Sequence, residues 1–216
     1  MSIAKNLNVI KSQLPQHVTL VAVSKTKPVS DLMEAYTAGQ RIFGENKIQE
    51  MTEKWEQMPK DIEWHMIGHV QTNKVKFMAE YVSLIHGVDS LKLLQEINKQ
   101  AEKHNRVIDC LLQIHIAEEE TKFGLDEEEL NHILTSDDFK SLENIKIVGL
   151  MGMATFSENQ IQIEKEFSHL KTIFDKLKTQ NSELLTLSMG MSGDYQLAIS
   201  CGSNMVRIGS SIFGTR

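Results

Sequence analysis

The sequence is short of cysteine, proline and aromatic residues, has no excess of positive charge and no long apolar run, and each shortage removes a class of protein. Two cysteines, Cys110 in an apolar stretch and Cys201 beside a Gly-Ser turn, are too few for a disulfide framework and stand in no metal-binding spacing. Both are read as reduced thiols. Three prolines and no Gly- or Ser-rich stretch leave no linker along 216 residues, which favours one domain over residues 1–216. A formal charge of −6 argues against nucleic acid or an anionic membrane as partner, since either would want a basic face. No run approaches the roughly 18 apolar residues of a membrane span, and Met1 to Leu7 has no apolar signal core. A cytoplasmic location is expected.

What is present is a regular alternation. Apolar runs at Val18–Ser24, Arg41–Gly44, Ile62–Gly68, Tyr81–Val88, Val107–Ile116, Ile145–Met151, Leu184–Met189 and Met205–Ile208 predict strands. Helical spacing separates them: Val29–Ala38 with Ser30 as candidate cap and Gly39 as stop, a segment ending near Met58, Gln71–Glu80, Ser90–His104, Asp126–Thr135, Glu158–Lys178 and Asp194–Ser200. Ile3, Leu7, Ile10 and Leu14 space a further helix ahead of the first strand. Strand–helix alternation of this length implies parallel strands with helices outside, and eight such units predict an α/β protein, a (β/α)8 TIM-type barrel with an extra N-terminal helix. The alternative is an open doubly wound sheet, which usually carries a Gly-rich dinucleotide turn after its first strand. Here that turn reads Lys25, Thr26, Lys27, Pro28.

In a barrel the working face is at the C-terminal ends of the strands. Those ends bring Lys25; Gly44, Glu45 and Asn46; His65 and Gly68; His86; His115; Met151 and Met153; Ser188 to Ser192; and Arg207 to Ser211. A lysine ending a buried strand either leaves for solvent or serves as a tunable amine able to form a Schiff base. The turns around Ser192 and around Gly209 and Ser210 fall after the seventh and eighth strands, where barrels commonly bind phosphate through backbone N–H and hydroxyl groups. An imine-forming lysine facing a neutral phosphate cradle suggests pyridoxal 5′-phosphate (PLP). Arg207 fits, because an arginine at the pyridine nitrogen keeps that nitrogen unprotonated. Three histidines at strand ends also admit a metal, but only Glu45 and Asp89 stand near as carboxylates, so no metal site is assigned. The methionines at 151, 153, 189, 191 and 205 are read as packing at the barrel mouth.

Several segments in order, Val21-Ala-Val-Ser-Lys-Thr-Lys-Pro28, Phe43-Gly-Glu-Asn46, Trp64-His-Met-Ile-Gly-His-Val-Gln-Thr-Asn-Lys74, Gly149-Leu-Met151, Leu187-Ser-Met-Gly-Met-Ser192 and Val206-Arg-Ile-Gly-Ser-Ser-Ile-Phe-Gly214, resemble the YggS/PROSC family of pyridoxal phosphate homeostasis proteins. The resemblance spans nearly the whole chain. It implies a barrel like the N-terminal domain of alanine racemase, with PLP held as an internal aldimine on Lys25. It further implies that Ser192, Gly209 and Ser210 cradle the phosphate, that Arg207 meets the pyridine nitrogen, and that Asn46 and His65 lie beside the ring. Lys122, in Thr121-Lys-Phe-Gly124, falls where racemases place an arginine near the phenolic oxygen, and would approach that oxygen or a second ligand.

Members of that family are held to bind, carry or buffer the cofactor, with effects on amino-acid and keto-acid metabolism and no established turnover. The residues agree. A two-base racemase needs a second acid–base group, which barrel racemases take from a domain after the last strand, and this sequence ends at Arg216. Of the tyrosines only Tyr195, beside the predicted phosphate turn, is placed to act as an acid. The expectation is therefore a non-catalytic PLP-binding protein, monomeric, with PLP-dependent client enzymes as recipients if the cofactor is handed on. A weak PLP-dependent racemase or lyase is the alternative, and a cofactor-free Schiff-base aldolase acting on a sugar phosphate is a further one.

Overall fold

Eight parallel strands close into a barrel in the computed structural model, which describes residues 2–118 and 123–215. They are β1 (Thr19–Val23), β2 (Ile42–Glu45), β3 (Glu63–Met66), β4 (Val82–Val88), β5 (Ile108–Gln113), β6 (Ile145–Met151), β7 (Thr186–Met191) and β8 (Met205–Ile208). Each pairs in parallel with its sequence neighbours, and β8 closes on β1. Helices α1 (Ile3–Gln13), α2 (Val29–Thr37), α3 (Ile48–Gln57), α4 (Leu91–Lys103), α5 (Glu127–Thr135), α6 (Asp137–Lys140), α7 (Gln160–Lys178), α8 (Tyr195–Ser200) and α9 (Ser210–Phe213) complete it, so the chain is the expected TIM-type barrel preceded by one helix.

The unbroken apolar runs follow from burial on both faces. Successive strand side chains point to opposite sides, so Val21, Leu84, Leu111, Met151 and Met205 gather inside the barrel. Leu20, Ala22, Phe43, Trp64 and their neighbours pack outward against the helices. At Gly149 an added Cβ would stand 1.8 Å from the Thr186 carbonyl oxygen of the paired strand. Only glycine allows that approach.

Some segments depart from expectation. Gln71–Glu80 is no α-helix: Thr72–Phe77 forms a 3₁₀ turn, with Lys74 N–H donating to the Gln71 carbonyl and Met78 N–H to that of Val75. Few of its side chains are buried, so it offers no apolar stripe to hold a longer helix. Ser30 lies inside α2 rather than capping it, and Pro28 holds the cap position. β5 stops at Gln113; Ile114 N–H still donates to the Met151 carbonyl but Ile114 bridges Leu125 on its other side, and His115 lies past the strand with its N–H bonded to the Leu125 carbonyl. β7 runs on to Met191, two residues past its predicted end at Met189. Among the described residues no helix is long and apolar enough to cross a membrane.

Candidate functional site

A cavity of about 740 Å³ opens at the C-terminal mouth of the barrel. Lys25, Asn46, Ser192, Arg207, Gly209 and Ser210 all line it. Six of the seven site residues inferred from sequence thus share one space although they come from four strand ends. The seventh, His65, does not: it is 4% exposed and lies in the barrel below the cavity floor. Tyr195 is also elsewhere. Its hydroxyl, 2.7 Å from Gln13 Oε1, joins α8 to α1. Lys122 falls outside the described residues. A smaller cavity of about 340 Å³ lies between the end of α1 and the starts of β1 and β2; its cations, Lys11 and Arg41, are already bonded to Gly39 O and Asp61.

β1 sets the aim of Lys25. Val21, Val23 and Lys25 fall on the same side of the strand, so the lysine follows the inward face to the mouth, while Ser24 follows the outward face with Leu20 and Ala22. The chain then turns through Thr26, whose φ of 64° lies in the left-handed region. A β-branched residue there costs about 1–3 kcal/mol. Lys27 also borders the cavity, but its Nζ is bonded to the carbonyls of Phe213 at 3.0 Å and Thr215 at 3.4 Å.

Opposite Lys25, the β7 and β8 ends supply neutral donors. Ser192 Oγ accepts the Gly209 N–H at 3.2 Å, which ties the two turns into one rim. A Cβ on Gly193 would meet nothing within 4 Å, so the backbone there borders open cavity. Arg207 is 4% exposed and stands in the barrel below. Its Nη1 donates to the Ser188 carbonyl at 2.9 Å and to Ser188 Oγ at 2.6 Å, and its Nη2 to the Gly152 carbonyl at 3.1 Å. The Nε–H has no protein acceptor among the described residues. Burial pulls the guanidinium down to about 10, and the Asp194 carboxylate opposes that. Arg207 remains charged at neutral pH.

A buried relay continues from Ser188. Ser188 Oγ lies 3.1 Å from His86 Nδ1, and His86 Nε2 lies 3.0 Å from His65 Nδ1. Arginine can only donate, and its charge on Ser188 Oγ favours the arrangement in which the Ser188 hydroxyl donates to His86 Nδ1, His86 Nε2–H donates and His65 Nδ1 accepts. Burial pulls His65 down to about 3 and His86 well below 6.5, with Arg207 adding to the effect on His86. The sequence places His65 beside a ring; the signal it lacks is the pairing with His86, 21 residues away on the next strand. Between pH 6.5 and about 3 the unfolded chain binds a proton at His65 that the folded protein excludes, so stability falls as pH is lowered through that window. The slope is about 1.4 kcal/mol per pH unit for each ring. The urea midpoint is expected to drop between pH 7 and pH 5, and less steeply in His65→Gln; equal slopes would refute the neutral pair. The variant isolates the ring, because Glu45, whose pKa burial raises, contributes with the opposite sign.

Residues 1–216 match the family model described as the N-terminal domain of alanine racemase. The chain belongs to that family. Among curated members, the pyridoxal phosphate homeostasis protein of Haemophilus influenzae is 37% identical over 231 residues, which cover 100% of this chain and 97% of that protein. The protein of the same name from Synechocystis is 40% identical over 210 residues, covering 96% and 95%. Among solved structures, PipY of Synechococcus elongatus with PLP bound is 35% identical, with a TM-score of 0.89 over 98% of this chain and 100% of its own. An alanine racemase of Clostridium difficile gives 0.81 at 18% identity, over 100% of this chain and 56% of its own. That last likeness shows the shared barrel of the family and no more.

Proposed function

We propose that this chain is a non-catalytic PLP-binding protein that serves cofactor homeostasis, with Lys25 as the point of covalent attachment. The observation that carries the reading is the convergence, in one cavity, of Lys25 on the inward face of β1's continuation, a neutral Ser/Gly cradle and a buried arginine with an N–H to spare, while Lys27, the other lysine of the lining, has its Nζ bonded to backbone carbonyls. That donor set fits the three handles of the ligand: an aldehyde for Lys25, a phosphate for Ser192, Gly209 and Ser210, and a ring nitrogen for Arg207. Asn46 borders the ring side, and His65 supports Arg207 from below through His86 and Ser188 rather than touching the ligand. The names of the curated relatives and the PLP bound in PipY support the same assignment.

PLP supplies an aldehyde that condenses with amines and a ring that draws electrons from the attached carbon; the residues here favour holding it. Arg207 would donate to the ring nitrogen and could not protonate it, which would weaken the electron sink. The tyrosine hydroxyls are engaged away from the cavity, Tyr36 with Asp61, Tyr81 with Thr52 and Tyr195 with Gln13, so no phenol stands ready as a second acid. In this reading the protein is a cytoplasmic monomer that keeps reactive cofactor covered and passes it to PLP-dependent client enzymes. The exposed Phe123 and Phe156 on the cavity rim support the hand-off, as apolar contacts a docking enzyme would cover. The test is to load purified protein with PLP, reduce with borohydride and map the label: it is expected on Lys25 with no turnover of amino acids. A label elsewhere, or turnover that is lost with Lys25, would refute the reading.

A further inference from the structure

A second buried cluster lies behind Lys25, on the outward side of the barrel wall, and touches none of the cavity. Lys54 of α3 is 5% exposed and Glu45 of β2 is 0% exposed. Lys54 Nζ donates to Glu45 Oε1 at 2.7 Å, to Glu50 Oε1 at 2.7 Å and to the Ser24 carbonyl at 2.8 Å. Ser24 Oγ donates to Glu45 Oε1 at 2.6 Å, and Thr26 N–H donates to Glu50 Oε1 at 2.5 Å. The residues on both sides of Lys25 are therefore bonded to one charged cluster. Ionic groups buried as deeply as Glu45 and Lys54 make weak stabilisers of a fold, and a hydrophobic replacement would do as well or better. Glu45 even leaves Oε2 without a partner. What the cluster does hold is the Thr26 turn in its left-handed conformation, which the Thr26 side chain itself opposes.

We propose that Glu45, Glu50 and Lys54 are positioning residues for Lys25, clamping the turn that aims its amine so that a bound aldehyde is captured covalently. The proposal rests on the reading of Lys25 given above. Capture forms a carbon–nitrogen double bond at Lys25 Nζ and releases the aldehyde oxygen as water with two protons from the amine, without oxidation or reduction. It demands the amine in one place, whereas phosphate binding at β7 and β8 does not depend on the turn.

The two contributions separate when the protein is titrated with PLP and with pyridoxine 5′-phosphate, which has an alcohol in place of the aldehyde. Glu50→Gln and Lys54→Met are each expected to weaken PLP binding roughly 10-fold while leaving pyridoxine 5′-phosphate within about twofold of wild type. Thr26→Gly removes the opposition to a positive φ, so it is expected to restore PLP binding in the Glu50→Gln background. This rescue keeps the test decisive if Lys54→Met fails to fold. Equal weakening of both ligands, or no weakening of either, would overturn the clamp. If wild type binds both ligands alike and borohydride fixes no label on Lys25, the reading of Lys25 falls instead.

Discussion

Lys25→Ala is expected to abolish the absorbance band of covalently held PLP and to leave no borohydride-fixed label at this position, while the protein stays folded. The side chain is half-buried and leads into the cavity, so its removal strips no core contact. The proposed phosphate and ring-nitrogen contacts would remain, so the loss is expected to be confined to the covalent share of the affinity. A weakening of about 100-fold, or roughly 2.7 kcal/mol, is expected by titration. Lys27→Ala is the control. That lysine has the same chemistry two residues on, but its Nζ is fastened to the carbonyls of Phe213 and Thr215, so the band is expected to survive. A label that moves to Lys27 in the Lys25 variant would show that proximity alone selects the amine.

The largest expected effect on stability comes from a single added methyl group. Gly149→Ala would place a Cβ 1.8 Å from the Thr186 carbonyl oxygen and 2.6 Å from its carbon, both backbone atoms of the paired strand. No rotamer relieves that clash; β6 and β7 must part, and a barrel has no free edge to take up the movement. A loss of about 4 kcal/mol or more is expected, which lowers the midpoint of thermal unfolding by roughly 8–16 °C. Gly193→Ala, by contrast, meets nothing within 4 Å and is expected to leave the midpoint unchanged while weakening phosphate binding, since the methyl group enters the cavity. Circular dichroism melts of the two variants, with phosphate-ester titration of the second, check both statements.

The barrel was legible because its signal is repeated eight times. Each apolar run could be misplaced by a residue or two without changing the alternation, as the shift of β7 to Thr186–Met191 shows. The cavity residues were legible for a related reason: a parallel barrel puts every strand end on one face, so Lys25, Ser192 and Arg207 could be gathered without knowing their coordinates. Two things were hidden. The environment of His65 depends on a partner 21 residues away and on register, which periodicity does not report. The cluster of Glu45, Glu50 and Lys54 was hidden because a glutamate and a lysine in sequence read as solvated charges, and only the packing of α3 over β2 and β3 takes Glu45 and Lys54 out of water.

The chain of contacts from Arg207 through Ser188 and His86 to His65 has a sense of direction. A hydroxyl and two imidazoles alone could carry their protons either way round, with both arrangements populated. Arginine, which gives hydrogen bonds and never accepts them, takes one acceptor site of the Ser188 oxygen and by its charge makes that hydroxyl a better donor, which favours one arrangement over the other. Four strands of the barrel are thereby biased alike, and the preferred order of the innermost protons is set by a residue of the last strand, so that closing the barrel also gives its interior an electrical orientation.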